Sequence, residues 1–268
     1  MHVHFLDPYR PRRSPIHALD PRVKFVLTLA FIFSAALTPL GAWPVYILLF
    51  ALILSVEVLS DLGVAYVLKR AVLAFPFVLA ALPVIFSTPG TALFTLTLGP
   101  WTLTASLAGL ERFLSIAFKS WVSVQAAIVL AATTSFPDLM VAMRAVRVPR
   151  MLVAIFGLMW RYLFVLVDEV LRLLRARAAR SGVSADARLK AGGSVAWRAR
   201  VAGGMAGSLF LRALERSDRI YMAMVSRGYD GEVRAMPLPG LKLYHWVILS
   251  CGIGILAFLL VIAYLLWS

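Results

Sequence analysis

Two arginines stand between small residues, 47 positions apart: Ala179-Arg180-Ser181 and Ser226-Arg227-Gly228. A guanidinium presents a rigid planar fork of N–H donors, which suits carboxylates and helix-end carbonyls. Small neighbours on both sides let a partner surface come close. That chemistry is recognition rather than bond-making. Other residues offer less. Asp168 and Glu169 are adjacent, and neighbours on a helix point about 100° apart at ~3.6 residues per turn, so they make a poor acid–base pair. His2 and His4 tempt a metal reading, because imidazole binds cobalt and nickel, yet two histidines on a terminal arm do not close a site. His17 and His245 have no obvious companion in the sequence, Glu57 and Glu111 read as packing or interface residues, and Cys251 reads as a small core residue. The sequence contains no Gly-x-x-x-x-Gly-Lys-Ser/Thr loop, so phosphate binding in the P-loop manner is excluded.

The elements that position the triplets are visible in the distribution of charge. Residues 25–56, 71–110 and 243–268 contain no Asp, Glu, Lys or Arg, whereas residues 138–242 hold 18 of the 27 basic and 8 of the 13 acidic residues. A spanning helix needs ~20 mostly apolar residues. The pattern predicts an all-α integral membrane protein of five spans: about Phe25–Leu37, Val45–Leu59, Ala71–Phe86, Thr104–Ala132 and Tyr244–Trp267. Pro76 and Pro83 are expected to kink the third. Residues 87–102 read as an external loop, partly extended. Glu111, Arg112 and Lys119 fall inside the fourth span and are expected to face protein or the interface. Arg10, Arg12, Arg13, Arg22 and Lys24 place the N-terminal arm in the cytoplasm. The absence of a short apolar h-region argues against a cleaved signal peptide. The resulting plan is a basic arm (1–24), spans 1–4 (25–134), a cytoplasmic region (135–242) and span 5 (243–268). A net charge of +14 then needs no nucleic acid; anionic headgroups of the lipid bilayer suffice.

The cytoplasmic region divides into a short helix, Pro137–Val148, and two long ones. Pro149 stops the first. The second, about Arg150–Arg180, has an apolar first half and a basic second half, with Asp168 and Arg172 spaced for an i,i+4 pair and Ser181-Gly182 as its stop. Arg172, Arg175 and Arg177 read as a solvated or headgroup-facing surface. Residues 183–204 read as a surface connection. The third helix, about Met205–Ser226, carries a broken apolar face of Met205, Leu209, Ile220 and Met224. The short helix, with Met140 and Met143, is either a partner contact or packing beneath its neighbours.

With its two triplets, the chain resembles the transmembrane T component of energy-coupling factor (ECF) transporters, ABC-type uptake systems for vitamins and metal ions. Further likeness lies in Leu19-Asp20-Pro21-Arg22-Val23-Lys24, in Thr133-Thr134-Ser135-Phe136-Pro137-Asp138-Leu139 and in Arg147-Val148-Pro149. Tyr162-Leu163-Phe164 with Asp168-Glu169 is similar to the cobalt-type branch, CbiQ. The family carries Ala-Arg-Gly-like triplets at the ends of two coupling helices; here Ser181 replaces Gly and Ser226 replaces Ala, and both remain small.

The resemblance implies that each triplet docks in a groove on one of two ABC ATPase subunits (CbiO-like). ATP and Mg would be bound by those subunits. The Co ion would be held by a membrane substrate-binding subunit (CbiM-like), with a small accessory subunit (CbiN-like) beside it, and no cofactor belongs to this chain. The implied role is non-catalytic mechanical coupling in the bacterial cytoplasmic (inner) membrane, with Co²⁺ as cargo. The same role in nickel or vitamin uptake, a self-sufficient carrier and a lipid-modifying membrane enzyme are the alternatives.

Overall fold

The computed structural model describes residues 8–98, 101–180, 194–231 and 240–267. In chain order the elements are α1 (Pro15–Ala18), α2 (Pro21–Leu37), α3 (Trp43–Leu59), α4 (Val64–Ala71), a 3-10 turn (Val72–Ala74), α5 (Phe75–Ala80) and α6 (Val84–Ser87). Strands β1 (Ala92–Leu98) and β2 (Trp101–Ser106) follow, then α7 (Leu107–Thr133), α8 (Phe136–Ala145), α9 (Arg150–Arg180), α10 (Val195–Val225) and α11 (Leu243–Trp267). They form two compact units, one within residues 147–237 and the other within 4–146 and 238–268. The architecture is that of an all-α membrane protein with one short antiparallel hairpin, β1–β2.

Local chemistry explains the helix ends. Asp20 caps α2 by accepting from the Arg22 N–H at 2.9 Å, and Pro21 occupies the first turn, where its missing N–H costs nothing. Ser135 caps α8 with Pro137 in its first turn. Pro76 and Pro83 do more than kink the third span: they divide it into α4, the 3-10 turn, α5 and α6, over a stretch of 24 residues still long and apolar enough to cross a membrane. The fourth span begins at Leu107 rather than Thr104, because Ser106 ends β2, accepts from the Gly109 N–H at 2.9 Å and donates to the Thr88 carbonyl at 2.6 Å.

In the larger unit, α2, α3, α7 and α11 enclose a core that includes Phe31, Ala35, Leu49, Ile53, Val122 and Leu259. Tyr46, Phe50, Phe118 and Trp121 interlock α3 with α7, ring centroids 5.4–6.1 Å apart. The outward faces are also apolar: Phe33, Ile47 and Leu265 are 63%, 63% and 78% exposed. In water such a surface would aggregate; in a bilayer it is the lipid face. Cys251, expected in the core, is exposed on α11, where a weakly polar thiol suits hydrocarbon.

Of the three charges expected to face protein or the interface, Lys119 turns to protein, as intramembrane cations do, while Glu111 and Arg112, in the first turns of α7, are exposed. Lys119 donates to the carbonyls of Thr38 and Ala36, the unpaired C-terminal acceptors of α2. Glu111 lies against Gly41, whose φ of +80° turns the chain from α2 into α3. Glu57 is completely buried in α3, as expected of a packing residue.

Candidate functional site

The smaller unit is built on α9 and α10, 31 residues each. Helix α10 starts at Val195, ten residues before the expected Met205. Ser194 caps it, accepting from the Trp197 N–H at 3.2 Å, and Gly203-Gly204 continues helical within it. On α10, Val201, Met205, Leu209, Ala213, Arg216, Ile220 and Met224 are half-buried while most residues between them are exposed. That is a stripe of helical period, and it contains the four apolar residues read from the sequence. Helix α9 also differs from expectation. Its apolar first half makes it, by length and composition, capable of crossing a membrane, although it lies within the basic region.

The two helices meet over a short zone. Val170, Leu173, Leu174 and Arg177 of α9 line one small cavity with Ala202, Met205, Ala206 and Leu209 of α10. Just outside it, Arg212 donates to Glu169 at 2.8 Å. Glu169 precedes Val170 whereas Arg212 follows Leu209, so the helices run antiparallel. Glu169 also draws Arg172, at 3.8 Å, rather than leaving it to Asp168; a carboxylate that already engages Arg212 gathers the second guanidinium one turn away.

Antiparallel packing sends the two arginine triplets in opposite directions. At ~1.5 Å per residue, Arg180 lies about 10 Å past the middle of the contact and Ser226 about 30 Å past it on the other side. Ala179 and Arg180 are exposed at the end of α9, and Ser181 lies outside the described residues.

The second triplet is described completely. Ser226, Arg227 and Gly228 are exposed. The Gly228 N–H bonds the Val225 carbonyl at 2.9 Å, the Tyr229 N–H bonds the Met224 carbonyl at 3.0 Å, and Gly228 has φ +79°. This is a Schellman ending, which requires a left-handed residue at that position. Met224 and Tyr229 are half-buried among exposed neighbours, as the accompanying apolar contact of that ending demands. No side chain lies within 4 Å of where a Gly228 Cβ would stand. The glycine is therefore dictated by backbone conformation, and the space around it is open to a partner. The Ser226 hydroxyl donates back to the Ala223 carbonyl at 3.0 Å, leaving Arg227 as the outward donor of the tip.

Two other motif segments, far apart in sequence, are joined. Lys24, 7% exposed, donates through Nζ to the Thr133 carbonyl at 2.9 Å, closing the C-terminal end of α7. The link spans 109 residues; each end is a signal in the sequence, but their pairing is not. His17 has companions after all: its ring nitrogens stand 2.7 Å from Ser14 Oγ and 3.0 Å from the Arg10 carbonyl. His2 and His4 lie outside the described residues. Among the described residues no three His, Cys, Asp or Glu side chains converge to hold a metal ion.

The family described as cobalt transport protein, CbiQ, matches residues 12–238. An uncharacterized protein of Methanocaldococcus jannaschii is 26% identical over 95% of this chain and 85% of its own length. The cobalt transport protein CbiQ of Rhodobacter capsulatus is 29% identical over 62% of this chain and 65% of its own length. The energy-coupling factor transporter transmembrane protein EcfT of Listeria innocua is 28% identical over 84% of each.

Proposed function

This chain belongs to the CbiQ family of cobalt transport proteins, and we propose that it is the coupling subunit of an ECF-type importer whose cargo is Co²⁺. As a multi-pass member of this family it is a transmembrane component of an ECF transporter. In the finer reading, two CbiO-like ATPases hold ATP and Mg, a CbiM-like membrane subunit with a CbiN-like companion holds the ion, and this chain transmits motion between them. The N-terminus lies in the cytoplasm of a bacterial inner membrane, a placement supported by the basic arm.

The observation that carries the reading is the pair of exposed tips on antiparallel helices. Arg180 and Arg227 end α9 and α10 on opposite sides of one contact, which suits docking to two separate subunits rather than to one. Each tip can offer a guanidinium fork to a carboxylate or to helix-end carbonyls. ATPase closure would pull the tips together, and α9 and α10 would pass that displacement on.

The test is co-purification of the chain with its ATPase, with ATP-driven ⁵⁷Co uptake in the same cells, for wild type and for the Arg180→Ala plus Arg227→Ala variant. Wild type is expected to bind and transport, and the variant to fail at one of the two steps. A variant that binds and transports like wild type refutes the site. Uptake of nickel alone would keep the coupling and refute the cargo.

A further inference from the structure

At the end of the bundle where α2 begins and α7 ends, two guanidinium groups converge on one phenol ring. The Arg10 guanidinium carbon lies 3.7 Å from the Tyr66 ring centroid and that of Arg70 lies 4.6 Å from it. The two cations are thus no more than about 8 Å apart, comparable to one Debye length at physiological salt, so their repulsion is only partly screened. Among the described residues neither guanidinium pairs with a carboxylate or donates a hydrogen bond to protein. Asp61, just after the C-terminal end of α3, pairs with neither. The Tyr66 hydroxyl is buried and also lacks a partner.

The arrangement is held in place by the backbone. The Arg10 N–H bonds the Ala132 carbonyl at 3.0 Å, and the Arg10 carbonyl stands 3.0 Å from the His17 ring. Arg70 sits one turn after Tyr66 on α4. We propose that Arg10, Tyr66 and Arg70 form a binding site for the phosphate of an anionic membrane lipid. A phosphate there would neutralise the repulsion and take charge-assisted hydrogen bonds from both forks.

The surroundings identify the phosphate as a lipid's. Immediately after Arg70 the chain presents Val72, Leu73, Phe75 and Phe77, which are 57–72% exposed and begin the hydrocarbon-facing surface. Leu73 lies three residues from Arg70, one turn deeper toward the bilayer. The guanidinium groups therefore sit at headgroup level above a surface fit for acyl chains, which a free phosphate would not use.

The full chain is reconstituted in nanodiscs of phosphatidylcholine with trace phosphatidylglycerol, and the lipid retained on detergent extraction is weighed by native mass spectrometry. Wild type is expected to enrich phosphatidylglycerol. Arg10→Gln and Arg70→Gln should each lower the enrichment roughly fivefold, and the double variant about thirtyfold. Arg198→Gln plus Arg200→Gln, on α10, should leave it unchanged. Neither tested side chain makes a protein hydrogen bond, so the variants keep the fold, and circular dichroism checks this. Equal enrichment in wild type and double variant overturns the site. Inorganic phosphate that protects the protein against heat as well as the lipid does overturns the lipid assignment.

Discussion

Glu169 of α9 and Arg212 of α10 form a hydrogen-bonded ion pair of 2.8 Å across the antiparallel helix contact, and Glu169 holds Arg172 at 3.8 Å as well. One carboxylate thus gathers guanidinium groups from both helices. The Arg212 side chain is 57% exposed, so solvent screens the pair and its direct contribution is small, about 0.2–1 kcal/mol. A double-mutant cycle of Glu169→Ala and Arg212→Ala, followed by thermal unfolding at low and high salt, should give a coupling in that range that shrinks with salt. A coupling near zero at low salt would show that the contact rests on its apolar residues alone.

Gly228 is required by its φ of +79°, not by crowding. Gly228→Ala should cost about 1–2 kcal/mol of local strain and fray the last turn of α10. Gly228→Asn, which tolerates the left-handed region, should cost less. Amide exchange at Gly228 and Tyr229 reads the fraying directly, and ATPase co-purification should fall in the same order. Equal exchange in all three proteins would contradict the capping argument.

Acid should loosen the N-terminal arm through His17. Burial lowers its pKa below 6.5, and nearby Lys24 pushes the same way, outweighing the Arg10 and Ala132 carbonyls and Asp61. The fold therefore favours neutral His17. The arm's attachment is complete above pH 6.5 and weakens as pH falls below it. The Arg10 amide, bonded to Ala132, should lose exchange protection, corrected for intrinsic rate, between pH 7.5 and 5.5, and His17→Gln should abolish that pH dependence. Protection that is flat with pH in wild type would sink this prediction.

Much of the fold was legible where the chain punctuates itself. Asp20-Pro21, Ser135 with Pro137, and Gly228 each announce a helix end through a single cap or a single dihedral, and the structure uses them so. The charge-free runs disclosed the spans because hydrocarbon excludes charge over ~20 residues at a time. The start of α10 was harder, because residues 195–204 are helical despite two glycines and depend on the Ser194 cap. The β1–β2 hairpin was legible only as a partly extended loop, since its ladder joins residues whose pairing a local pattern does not specify. The same limit hid the bonds from Lys24 to Thr133 and from Arg212 to Glu169. Lys24 and Thr133 each sit in a recognisable segment, and Arg212 and Glu169 in ordinary helix, but only tertiary register brings each pair together.

The off-centre crossing of α9 and α10 makes their two exposed ends mechanically unequal. One arm is about a third as long as the other, at ~1.5 Å per residue. If the crossing acts as a pivot, the same displacement at each end turns α9 through roughly three times the angle that it turns α10. The same force produces a third of the torque at Arg180 that it produces at Arg227. Even two identical motors would then drive this subunit asymmetrically, with one stroke setting the range of rotation and the other its strength.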